Sequence, residues 1–141
     1  MAQYIEFVTN HPFLFGGLLV VIVMCARTEY QQFFSGIKQL SPMEVTLLRN
    51  REQVVVLDVR EDSAYAGGHL LSSKNIPMGV LDKRINELGE DKAKALVVVC
   101  EMGSKSIKAG KLLKKAGYQA VNSLSGGIAG WEKANLPLTT K

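Results

Sequence analysis

The sequence has few cysteines, few aromatic residues and no Lys or Arg before Arg27. With only Cys25 and Cys100, a disulfide framework is not expected, and a reducing compartment fits better. A cleaved signal peptide would require a basic segment near its start, which argues against that class of leader. The net charge of +4 is modest and dispersed. It suits an anionic substrate or a membrane surface and gives no nucleic-acid signal.

The chain begins with a long uncharged segment at residues 7–26, with His11 counted as neutral. A helix of that length spans about 30 Å, which matches the hydrocarbon core of a bilayer. Arg27 follows the segment directly, so the positive-inside rule places the remainder in the cytoplasm. We therefore predict a single-pass helix in the cell inner membrane at 7–26 and a juxtamembrane linker at 27–40. A signal peptide remains the alternative.

From residue 41 onward, predicted strands alternate with predicted helices. Val54–Leu57 and Leu96–Val99 are continuous apolar runs, typical of strands buried on both faces of a sheet. This alternation predicts an α/β domain with a mainly parallel sheet. Helices are predicted at 41–49, 61–66, 80–88 and 104–116 with a final helical turn from 126, and strands at 54–57, up to 77, at 96–99 and at 118–121.

Cys100 is placed directly after a buried strand, at the start of a short loop that opens a helix. Backbone N–H groups and the positive end of the helix dipole favour a negatively charged sulfur there. Because sites in open α/β sheets lie beyond the carboxyl ends of strands, Asp58 should lie at the same edge. The sequence thus predicts a sulfur nucleophile. The alternative is a small apolar residue that completes the core.

Four segments together resemble a single-domain rhodanese (sulfurtransferase) module over residues 41–137. With the predicted membrane helix, the chain resembles the membrane-anchored rhodanese-like proteins of bacteria. The resemblance implies a three-layer α/β domain whose cysteine accepts a sulfane sulfur and passes the persulfide to a thiol or cyanide. The segments are Val56–Glu61 with Tyr65, Gly68–Leu70 with Asn75–Pro77, Cys100–Ser106, and Gly126–Trp131 with Leu136–Pro137.

By the same resemblance, the loop after the catalytic Cys100 binds a thiosulfate-like anion. Its backbone N–H groups would hold the persulfide, the serine hydroxyls would add donors, and Lys105 would attract the anion. Asp58 and Arg60 are expected either to shape the loop or to form a structural ion pair. No metal or organic cofactor is required. The expected substrate-binding residues are Glu101, Met102, Gly103, Ser104, Lys105 and Ser106.

The loop departs from the family pattern Cys-x-x-Gly-x-Arg-Ser at Lys105, and it places Glu101 next to the cysteine. Lys105 replaces the Arg and loses its planar fork, and Glu101 would repel an anionic donor. Weak turnover or a different donor is therefore expected. The alternative function is a weakly active or non-catalytic membrane-tethered module that binds a partner protein. A Cys-x5-Arg phosphatase is disfavoured because Ser106 stands where its Arg would be.

Overall fold

The computed structural model describes residues 6–7, 9–34 and 36–141. These residues form two compact units, one ending at Gly36 and one beginning at Ile37. The first contains helix α1, Pro12–Phe34, with the proline in the first turn, where its missing N–H costs nothing. The stretch Pro12–Tyr30 has a mean hydropathy of 1.6, and none of its residues is buried. It is long and apolar enough to cross a membrane, a property that signal sequences share.

The range predicted as a linker, 27–40, contains regular structure. Helix α1 continues past Ala26 to Phe34, because Arg, Glu and Gln are good helix formers even where the apolar pattern stops. Strand β1, Lys38–Leu40, then pairs with the sheet of the second unit. Val8 of the predicted membrane segment and Ser35 of the predicted linker lie outside the described residues.

The second unit is built on a five-stranded parallel sheet in the order β1-β5-β4-β2-β3. Central strand β4 is an unbroken apolar run whose residues are all buried, as a strand covered on both faces requires. Edge strands β1 and β3 are short. After β1, the strands are β2 Val54–Asp58, β3 Ser73–Asn75, β4 Ala95–Val99 and β5 Val121–Leu124.

Helices cover both faces of this sheet. They are α2 Pro42–Arg51, α3 Asp62–Ala66, α4 Leu81–Arg84 between 3-10 turns at Met78–Val80 and Ile85–Leu88, α5 Ser104–Lys115, and α6 Gly127–Lys133. One core cluster joins Leu57 and Val98 to Leu113 of α5. The other joins Val56 and Val97 to Trp131 of α6. Alternate residues of the same strands thus fill opposite cores, which gives the three layers that the resemblance implied.

Strand β5 begins at Val121, three residues later than the start predicted. Tyr118 instead belongs to the end of α5: its N–H donates to Leu113 O at 3.1 Å, and that of Gly117 to Lys114 O at 3.0 Å. This pair of bonds is a Schellman motif, in which Gly117 takes a left-handed conformation. The motif occupies the residues that the sequence pattern assigned to the strand.

Candidate active site

Cys100 lies at the carboxyl end of β4, where the chain turns into α5. The residue is 1% exposed, and its Sγ accepts a hydrogen bond from the Gly103 N–H at 2.9 Å. Gly103 has φ of 100°, a left-handed conformation that glycine adopts without strain. The loop therefore folds back on the sulfur and offers it a backbone donor.

The loop is oriented by its contact with the start of α6. The carbonyls of Cys100 and Glu101 accept hydrogen bonds from the N–H groups of Ile128 at 2.9 Å and Ala129 at 3.2 Å. In a trans peptide the next N–H points the opposite way, so those of Glu101 and Met102 are directed away from α6. Within the described part of the chain, neither of these N–H groups meets an acceptor. Such a set of backbone donors suits an anion.

A pocket of about 330 Å³ opens at Cys100. It combines charged side chains of both signs with apolar surface. A larger groove, about 590 Å³, follows the exposed apolar side chains of α1, but its lining is apolar and lies in the other unit. The pocket at Cys100 is the candidate site because it contains the thiol. Its lining residues are Arg60, Glu61, Ala64, Cys100, Glu101, Met102, Ser104 and Lys105.

Arg60 reaches the pocket from a buried ion pair at the end of β2. Its Nε lies 3.0 Å from Asp58 Oδ1, and its Nη2 donates to Asp58 Oδ2 at 2.8 Å and to Gly68 O at 2.6 Å. The remaining nitrogen, Nη1, lies 3.4 Å from Glu101 Oε2. Burial disfavours the charged guanidinium, but Asp58 and then Glu101 outweigh it, so the pKa of Arg60 is raised.

Asp58 itself is fully buried and does not line the pocket. It acts on the site through Arg60, so the ion pair and the shaping of the site, posed as alternatives from the sequence, are one arrangement. Asn75 adds a contact that the sequence analysis missed. Its Nδ2 donates to the carbonyls of Asp58 at 3.1 Å and Arg60 at 2.9 Å, which fixes the turn after β2. The sequence signal that could have indicated this role is that Asn75 is a polar residue at the end of β3, the strand that pairs with β2.

Among the predicted substrate-binding residues, Ser106 occupies a different place. It is fully buried on the inner side of α5. Its hydroxyl donates to Gly103 O at 2.7 Å and lies 2.6 Å from the hydroxyl of Ser123. Ser106 therefore closes the loop against β5 rather than presenting its hydroxyl to the pocket. Glu101, Met102, Ser104 and Lys105 line the pocket, and Gly103 contributes its N–H to the Cys100 sulfur.

The residues that form this site belong to a recognised domain. A family model described as the rhodanese-like domain matches residues 41–134. The chain belongs to the rhodanese-like domain family. The fold prediction, a rhodanese-like α/β domain with a parallel sheet, is confirmed. Within the described residues, no group of three or more His, Cys, Asp or Glu is placed to hold a metal ion.

Relatives of this rhodanese domain include bacterial proteins of the same length class and shorter enzymes. The chain is 32% identical to the Escherichia coli K12 protein YibN over 139 residues, 98% of this chain and 97% of that one. It is 31% identical over 101 residues to the thiosulfate sulfurtransferase GlpE of Shewanella oneidensis, covering 72% of this chain and 98% of the enzyme. The structure of a rhodanese-related protein from Thermoplasma volcanium superposes with a TM-score of 0.64 at 29% identity, covering 74% of this chain and 99% of that one.

Proposed function

We propose that this protein is a sulfurtransferase that carries sulfane sulfur as a persulfide on Cys100. The observation that carries the proposal is the position of the thiol. It lies in a pocket, accepts a hydrogen bond from the Gly103 N–H, and belongs to a loop whose Glu101 and Met102 N–H groups meet no acceptor within the described residues. The similarity to a sulfurtransferase from Shewanella oneidensis supports the same chemistry.

In the proposed reaction, the Cys100 thiolate attacks the outer sulfur of a thiosulfate-like donor. The donor's S–S bond breaks, sulfite leaves with the bonding electron pair, and the outer sulfur remains on Cys100 as a persulfide. A thiol or cyanide then attacks that sulfur and regenerates the thiolate. Backbone N–H groups of the loop stabilise the anionic persulfide, and Lys105 at the pocket edge attracts the donor.

The intact mass of the full chain in detergent tests this proposal. After incubation with thiosulfate we expect a gain of one sulfur atom that later addition of cyanide removes. Cys100→Ser should show no gain, because the serine hydroxyl cannot form a persulfide. If wild type gains no sulfur from thiosulfate and none from an organic thiosulfonate, the enzyme proposal is wrong. A module that binds a partner protein would then be the better description.

We also propose that α1 anchors the protein as a single-pass helix in the inner membrane, with the rhodanese domain in the cytoplasm. The apolar stretch Pro12–Tyr30 and the first basic residue at Arg27 support this topology. The thiol acceptor would then be a small thiol or a membrane protein. A C-terminal green fluorescent protein fusion should fluoresce in membranes, whereas an alkaline phosphatase fusion should be inactive. The opposite result, or loss of the N-terminal segment from the mature protein, would contradict the proposal.

A further inference from the structure

Glu101 places a carboxylate beside the cation that lines the pocket. Arg60 Nη1 lies 3.4 Å from Glu101 Oε2, while the other guanidinium nitrogens already face Asp58. The positive charge of Arg60 is therefore shared between two acids. A donor that enters the pocket meets a guanidinium whose attraction for anions is largely neutralised.

The other pocket charges do not restore an attraction for a strongly charged anion. Lys105 supplies a second cation and Glu61 a second carboxylate to the lining, and with Asp58 buried behind Arg60 three acids stand against two bases. Apolar surface is also present. Met102, 75% exposed, and Ala64 line the same pocket. This combination suits a ligand with low negative charge and an organic group.

We propose that Glu101 is a specificity-determining residue that disfavours the thiosulfate dianion and makes the site prefer monoanionic organic sulfane-sulfur donors. The inference rests on the proposed sulfurtransferase function and assigns its substrate class. Thiosulfonates and organic persulfides belong to that class. Their organic group would lie against Met102 and Ala64.

Methanethiosulfonate and thiosulfate form a matched pair of probes, because in the former a methyl group replaces one oxygen atom and the negative charge is lower by one. With methanethiosulfonate, the Cys100 thiolate attacks the terminal sulfur, the S–S bond breaks, and methanesulfinate leaves with the electron pair. The product on the protein is the same Cys100 persulfide that thiosulfate gives. Any difference between the donors therefore arises before or during the first transfer.

The test compares wild type with Glu101→Gln for both donors by kcat/KM at low ionic strength. Glutamine keeps a hydrogen-bond acceptor for Arg60 and nearly the same volume, so mainly the charge is removed. Because Coulomb repulsion scales with the donor's charge, we expect about a tenfold gain for thiosulfate and about a threefold gain for methanethiosulfonate. Added salt should shrink the difference. Glu90→Gln, an exposed residue in the loop before β4, makes the same charge change outside the pocket and should alter neither value.

The outcomes separate this inference from the function on which it rests. If Cys100 is loaded by both donors but Glu101→Gln changes them by the same factor, Glu101 is not selecting by charge and the inference is wrong. A loss with both donors would show that Glu101 supports the loop instead, which also overturns it. Failure of both donors to load Cys100, in wild type and in every variant that keeps the thiol, would refute the sulfurtransferase proposal and this inference with it.

Discussion

At the scale of single residues, the loop that follows Cys100 requires a glycine at position 127 to adopt its observed conformation. A Cβ there would lie 2.3 Å from Cys100 O, and φ is 59°. We expect Gly127→Ala to lower the free energy of unfolding by at least about 2 kcal/mol, because the clash and the left-handed conformation both add strain. Urea unfolding of the full chain in detergent measures the loss. Sulfur uptake by Cys100 should fall too, since its carbonyl must move.

Gly79→Ala is the matched control, because a Cβ at Gly79 meets open space. Its unfolding free energy should stay within about 0.5 kcal/mol of wild type. Equal effects of the two substitutions would contradict the role given to Gly127.

The sequence was sufficient to place Cys100, because a buried apolar run ending at a cysteine and a glycine-containing loop is a local pattern. It was not sufficient to predict the structural roles of Ser106 and Gly127. Ser106 meets Ser123, and Gly127 meets the Cys100 carbonyl. These contacts join segments far apart in the chain, and no local pattern encodes them.

At the scale of elements, α2 begins with a capping box formed by Ser41 and Glu44. The Ser41 hydroxyl accepts from the Glu44 N–H at 3.3 Å, and Glu44 Oε2 accepts from the Ser41 N–H at 2.8 Å. The backbone and side-chain hydrogen bonds from Ser41 lower the pKa of Glu44 below 4.5. A lowered pKa means that the carboxylate stabilises the fold above its unfolded pKa and loses that effect in acid.

We therefore expect Glu44→Gln to reduce the urea midpoint at pH 7, and the deficit to shrink as the pH falls below 4.5. Glu52→Gln, at the other end of the same helix, should leave the midpoint unchanged or raise it, because a negative charge is unfavourable there. A deficit in Glu44→Gln that is independent of pH would contradict the assignment.

Element boundaries were predictable where apolar runs or caps mark them and not elsewhere. Strand β5 contains Asn122 and Ser123, polar residues whose side chains find their partners, Leu96 O of β4 and the Ser106 hydroxyl of α5, only in the folded domain. Strand β1 has a single buried residue, Leu40, so no alternation marks it. Because the apolar pattern of these two strands is weak, their bounds could not be predicted from the sequence.

At the scale of the whole molecule, the position of β1 sets where the rhodanese domain begins. Ile37 and Leu40 are buried, Ile37 packs against Gly110 of α5, and Leu40 O accepts from the Ser125 N–H at 2.8 Å. The unit from Ile37 contains both core clusters, and the rhodanese-related chain of Thermoplasma volcanium consists almost wholly of the matching region. A fragment of residues 37–141 should therefore fold alone.

A fragment of residues 41–141 should be less stable than 37–141 by about 3 kcal/mol or more, because two buried aliphatic side chains and the β1–β5 pairing are lost. Urea unfolding of the two fragments, without detergent, measures the difference. Equal midpoints would show that β1 is dispensable to the domain.

The chain enters the domain at Ile37, beside the first residue of β1, whereas Cys100 follows the last residue of β4 in the same parallel sheet. Entry point and thiol thus lie toward opposite ends of their strands. Whatever precedes Ile37 can be exchanged without rebuilding the pocket. The domain can therefore be joined at this boundary to a different N-terminal segment, a second enzyme or a surface-immobilising tag, and the pocket at Cys100 should keep its structure.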